Sequence, residues 1–159
     1  GDNRGCSGGE IRTAMREMAA DFAAKGICLL FFVLLPTHNV RPPLETGGFT
    51  GWAMRTIWLL DTPTNLFPSI HCFVSWLGTR YIYECRSLRH RGLTCTLCTV
   101  GSVLVFLATM FTKQHVFYDV ISGVAVAEIG WLVARYTGLP RLFERLNGRF
   151  LRTKLAQMI

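Results

Sequence analysis

The chain has 159 residues, half of them hydrophobic, with 17% charged residues and a net charge of +7. A soluble domain of this length would carry about 25% charged residues spread over its surface; here they are fewer and bunched, and the mean hydropathy is positive. That excludes an ordinary water-facing surface and allows one domain with membrane segments.

Residues 1–10 are polar and Gly-rich, carry no signal peptide, and read as a linker. The chain opens on Gly1 rather than Met, so the expectation is a piece of a longer protein. Four apolar segments follow, over about 22–36, 67–83, 93–111 and 117–136. The last three approach the ~20 residues a helix needs to cross ~30 Å of hydrocarbon; the first is short unless its polar ends are included. Backbone groups in lipid must be paired within the segment, so each is expected to be a helix. Buried helices of a soluble bundle are the alternative, but several segments lack a polar face. The fold class expected is therefore all-α, an integral membrane bundle with four transmembrane helices.

Between the first two segments, residues 37–66 read as a long loop with Pro42, Pro43, Gly47, Gly48, Pro63 and an aromatic cluster around Trp52 and Trp58. Residues 84–92 (ECRSLRHRG) form a short basic connection that holds His90, and 112–116 a polar joint. Residues 137–159 form a basic tail, with Arg141, Arg145, Arg149, Arg152 and Lys154 interleaved with Leu142, Leu146, Phe150 and Leu155. That spacing fits an amphipathic helix on a membrane surface. The division expected is 1–21 as polar linker and helix start, 22–136 as the membrane domain, and 137–159 as the tail.

Threading four helices sorts the 17 Lys and Arg residues by side. Arg41, Arg55 and Lys113 fall on one side; the other 14 fall on the opposite one. By the positive-inside rule the rich side is cytoplasmic. The poor side holds His38, His71 and His115. Cys95 and Cys98 form a C-x-x-C inside the third apolar segment, with no second pair or His nearby. A zinc site needs four converging ligands, so these two read as small core residues, and no metal site is expected.

The same threading brings three separate stretches to one face: T-H-N-V-R-P (37–42), F-P-S-I-H (67–71) and T-K-Q-H-V-F-Y-D (112–119). In the second, Asn65 or Ser69 can cap a helix and Pro68 suits its first turn. The opening turn of a helix favours a phosphate; Ser69 adds a hydroxyl and His71 a group that exchanges a proton near neutral pH. In the third, His115 and Asp119 are four apart and would share a helix face. A carboxylate beside an imidazole fixes its tautomer and activates its other nitrogen. Lys113 can stabilise charge on a transferring phosphoryl group, and Arg41 offers a fork for phosphate oxygens. Any one of these residues alone is uninformative. Together at one face they compose a phosphoryl-transfer set. Glu128, nine residues beyond Asp119, falls on the opposite side of that helix and is expected to make a structural hydrogen bond.

These motifs resemble those of the type-2 phosphatidic acid phosphatases, or lipid phosphate phosphatases, whose superfamily includes vanadium haloperoxidases and sphingolipid phosphotransferases. The family pattern is K-x6-R-P, P-S-x-H and S-R-x5-H-x3-D. Pro68-Ser69-Ile70-His71 and His115-x3-Asp119 match the second motif and the end of the third, and Arg41-Pro42 the end of the first. Leu34 stands at the first-motif Lys position, and Ala108 and Thr109 at the S-R pair, so neither basic residue is carried over. The resemblance implies His115 as nucleophile, Asp119 orienting it, His71 as general acid, and Arg41 and Ser69 holding phosphate oxygens. It also implies no metal ion or other cofactor, and a site on the non-cytoplasmic face. Six helices are usual in the family, so the expected missing pair would precede Gly1.

The activity implied is hydrolysis of a lipid-like phosphate monoester or pyrophosphate. The expected partners are that lipid phosphate and membrane lipids, with no nucleic acid. A phosphotransferase of the inositol-phosphoceramide or sphingomyelin synthase type is the enzymatic alternative, and an inactive membrane scaffold the non-enzymatic one. A transporter fits less well, because no segment has the ionisable pairs or broken helices of one.

Overall fold

The computed structural model describes residues 3–38, 43, 47–60, 67–113, 115–146 and 148. The fold is all-α: α1 (Asn3–Leu34), α2 (Gly48–Leu60), α3 (Ile70–Glu84), α4 (Arg91–Phe111) and α5 (Phe117–Tyr136), then a short α6 over 139–146. Helix α5 packs on α1 and α3, and α3 in turn on α1 and α4. Helices α4 and α5 are each long and apolar enough to cross a membrane.

Two elements differ from the sequence expectation. The Gly-rich start, read as a linker, is helical from Asn3 onward. Its glycines are followed by Ala14, Met15, Met18, Ala19 and Ala20, good helix formers that outweigh a local glycine penalty of about 1 kcal/mol each. The 37–66 loop contains α2, thirteen residues long, because Trp52, Ala53, Met54 and the Ile57-Trp58-Leu59 run continue past Gly48 and Gly51, which read as breakers. Trp58 tethers this helix by donating its indole N–H to the Thr112 carbonyl at 3.0 Å.

The core is narrow. Ala19, Ala20, Ala24 and Cys28 line one face of α1, and against them lie Val126, Ala127, Trp131 and Ala134 of α5, with Phe73 and Leu77 of α3. Small residues on α1 leave room for the fully buried Trp131. Two glycines set the helix spacing. A Cβ at Gly123 would lie 2.6 Å from the Ser69 carbonyl oxygen, and one at Gly130 would lie 2.6 Å from that of Ala20. The contacts are with backbone, which cannot rotate away.

The α3–α4 seam is polar. Ser75 donates to the Ser102 hydroxyl at 3.1 Å, Thr79 and Ser102 share a 2.8 Å hydrogen bond, and Thr79 also donates to the Cys98 carbonyl at 3.2 Å. Helix α4 buries Cys95, Ser102 and Thr109, seven residues apart, while Leu93, Leu97, Val100, Leu104 and Phe111 are exposed. A soluble bundle hides its leucines and exposes its serines; α4 does the reverse.

Glu128 makes the structural bond expected of it, and its partners are on α3. It accepts from the Trp76 indole at 2.7 Å and pairs with Arg80 at 3.1 Å, whose guanidinium lies over the Trp131 ring. In the tail, Phe143 packs on Phe22 with ring centres 6.0 Å apart, and Leu139 also meets the core. Leu142 and Leu146 stay exposed. Arg149, Arg152 and Lys154 lie outside the described residues.

Replacing Gly123 or Gly130 by Ala is expected to destabilise the protein by about 1–3 kcal/mol through overpacking. Gly101→Ala, which meets open space, should be neutral or stabilising by up to about 1 kcal/mol. Thermal unfolding in detergent compares the three; equal midpoints for all would contradict the close-approach argument.

Candidate active site

The described parts of the three motif stretches gather at one end of the bundle. Thr37, just past α1, accepts from the Phe67 backbone N–H at 3.3 Å, and Phe31 stacks edge-on with Phe67. These contacts bring the end of α1 to the start of α3. The Phe67–Pro68 peptide is cis. Helix α3 begins only at Ile70, so Pro68 precedes the helix rather than entering its first turn.

Ser69 is the N-cap of α3, accepting from the Cys72 N–H at 3.4 Å. It is fully buried. Its backbone N–H donates to the Asp119 carbonyl at 3.3 Å, which ties the start of α3 directly to the first turn of α5. In this arrangement Ser69 caps the helix and positions its start. His71 lies one step into α3 and is exposed.

His115 and Asp119 do meet, though not across a helix face. Helix α5 starts at Phe117 with Val116 as N-cap, so His115 stands just outside it and Asp119 occupies its first turn. The Asp119 carboxylate accepts from the Val116 N–H at 3.0 Å and lies 3.4 Å from His115 Nδ1. A carboxylate there also answers the partial positive charge of the helix start. The His115 N–H donates to the Thr109 carbonyl at 3.2 Å, anchoring this residue to the end of α4. Both His115 and Asp119 are buried, at 8% and 7% exposure, whereas His71 opens to the surface. The two imidazole rings are edge-on with centroids 5.9 Å apart.

Lys113 sits exposed in the turn between α4 and α5, with a left-handed φ of 55°. That conformation is uncommon for a residue with a Cβ. Arg41 lies outside the described residues. The sequence reading missed the supports of the site: Thr109, whose carbonyl holds His115, and Gly123, whose missing side chain lets α5 approach Ser69. An isolated glycine within an apolar helical run, four residues after Asp119, is the signal that marks such a close approach.

Two neighbouring imidazoles, one oriented by a carboxylate, can act as nucleophile and acid on one substrate. Attack occurs from about 3–3.5 Å, and a general acid works within about 2.6–3.2 Å of the oxygen it protonates. Asp119→Asn would keep the Val116 contact and lose the charge that holds the His115 tautomer. Any reaction that uses His115 as nucleophile or base is expected to slow about 10²–10⁴-fold with unfolding temperature little changed; an unaltered rate would refute the orienting role. Compared with family models, curated proteins and solved structures, the chain matches none of them.

Proposed function

We propose that the chain is a multi-pass membrane phosphatase of the lipid phosphate phosphatase type, hydrolysing a lipid-like phosphate monoester or pyrophosphate through a phosphohistidine. The observation that carries this reading is the pairing of His71 and His115 at 5.9 Å with Asp119 behind His115. The membrane setting is supported by the inverted burial pattern of α4 and by the length and apolar character of α4 and α5. Small and hydroxylated residues at helix contacts, with leucine outward, are what packing within lipid selects. Helices α1 and α3 complete a four-span bundle, with the His71–His115 end on the non-cytoplasmic side and the arginine-rich end in the cytoplasm.

In this mechanism His115 attacks phosphorus through Nε2, the nitrogen not turned toward Asp119. The bond from phosphorus to the leaving oxygen breaks as that oxygen takes a proton from His71. Water then attacks the phosphohistidine and gives a proton back to His71, the P–N bond breaks, and phosphate leaves. Asp119 stabilises the positive charge on His115 throughout. His71, at the exposed mouth, is placed to meet the lipid-side oxygen, while the deeper His115 meets phosphorus. Arg41 and Lys113 are the cations proposed to hold the phosphate oxygens.

The test uses full-length protein in membranes with ³²P-labelled phosphatidate. The wild-type chain should release labelled phosphate and carry an alkali-stable, acid-labile label on protein. His115→Ala should lose both, with at least a ~10³-fold drop in rate, and His71→Ala should lose about 10²–10⁴-fold. The loss in His71→Ala should shrink on a phosphoester whose leaving group needs no protonation. Label appearing in a new phospholipid instead of free phosphate would identify a phosphotransferase. Wild-type turnover by His115→Ala would overturn the mechanism.

A further inference from the structure

A concavity lies at the other end of the bundle. It has a volume of about 460 Å³ and is lined by Arg12 and Arg16 of α1, Arg135 at the end of α5, and Arg141 and Glu144 of α6, with Thr137 at the turn between the last two helices. Four arginines from three helices thus line one hollow, against a single acidic residue in its wall. Of the four, Arg16 has an acidic partner, Glu84, at 3.7 Å. Arg135 lies over the Tyr136 ring, and among the described residues Arg12, Arg135 and Arg141 have no carboxylate within ion-pair distance.

That arrangement has a cost. Arg12 and Arg16 are four apart on α1, where like charges destabilise a helix. Docking α6 against α1 and α5 through Phe143 and Leu139 adds Arg141 to the same field. Arg12, Arg135 and Arg141 are exposed and Arg16 is half-buried; the docking of α6 sets all four around one open hollow. A polyoxygen anion entering it would offset the repulsion, and guanidinium forks match phosphate oxygens in pairs. The volume is within the range of sites for small ligands. Helix α5 rises about 24 Å between Asp119 and Arg135, at ~1.5 Å per residue, so this hollow is separate from the His71–His115 site.

We infer that the Arg12–Arg135–Arg141 hollow binds a phosphate-bearing anion, either a free phosphate species or the headgroup of an anionic phospholipid, at the end opposite the histidines. This inference does not depend on the reaction proposed for that other end.

The experiment places the His115→Ala chain, which prevents turnover, in nanodiscs and follows its unfolding midpoint. One arm titrates inorganic phosphate into phosphatidylcholine discs. The other exchanges phosphatidylcholine for increasing fractions of phosphatidylglycerol. A saturable rise with inorganic phosphate identifies the free ion, and a rise only with phosphatidylglycerol identifies the lipid. In either case Arg12→Gln/Arg141→Gln should weaken the response at least about tenfold, while Arg89→Gln, in the connection before α4, should leave it intact. Arg12→Lys, which keeps the charge and removes the fork, should give an intermediate response and covers the case in which the double variant does not fold. No saturable rise with either anion, or an undiminished response in both the double variant and Arg12→Lys, would overturn the inference.

Discussion

Gly123 and Gly130 allow the backbone of α5 to lie against the carbonyls of Ser69 and Ala20, and the geometry at both ends of the molecule follows from that approach. At one end, Ser69 reaches the Asp119 carbonyl, so the caps of α3 and α5 are joined through backbone. His71 follows Ser69 by two residues and His115 precedes Asp119 by four. Their spacing is therefore fixed by a backbone hydrogen bond and a glycine contact, not by the flexible imidazoles themselves. At the other end, the same close contact with α1 brings Arg135 beside Arg12 and Arg16. A site built on helix ends whose backbones touch is held more firmly than one carried by loops alone.

The polar seam between α3 and α4 has a complementary task. Ser75, Thr79 and Ser102 satisfy one another across the contact, leaving the outer face of α4 to leucine and valine. In lipid there is no hydrophobic force to drive two apolar helices together, and packing of small residues with a few hydrogen bonds does that work. The Trp76–Glu128–Arg80 group fastens α3 to α5 in a similar way. It places a carboxylate and a guanidinium in mutual contact, which lowers the penalty each would suffer alone in an apolar setting. These polar contacts orient α3 about its axis, and that orientation aims His71 at His115.

The two ends differ in chemistry. The histidine end is poor in Lys and Arg, while the opposite end gathers arginines from α1, α5 and α6. On the proposed membrane reading, this asymmetry orients the chain and also separates the two proposed sites, phosphoryl transfer on one side and anion binding on the other. Helix α5 connects them as one continuous rod, with Asp119 in its first turn and Arg135 in its last.

The all-α class, the apolar character of α4 and α5, and the grouping of His71, His115 and Asp119 were legible in the sequence, because hydropathy runs and alternating connections constrain which ends can meet. Glu128 was legible as a structural residue for a similar reason: its phase places it away from Asp119. Other features depended on contacts between residues far apart in the chain. Helix α2 was hidden among glycines and prolines, and α1 extended into a stretch whose composition suggests a linker, since local propensity is weak against the continuation of a helix. Ser69 was legible as a cap candidate, but its burial against Gly123 depends on the packing of α5 on α3. His115 meets Asp119 from the joint before α5, whose N-cap is Val116, and not from a shared helix face. The arginine hollow has no motif at all. Residue type and spacing determined which groups were available; only the close approach of α5 to α1 and α3 decided which of them face each other.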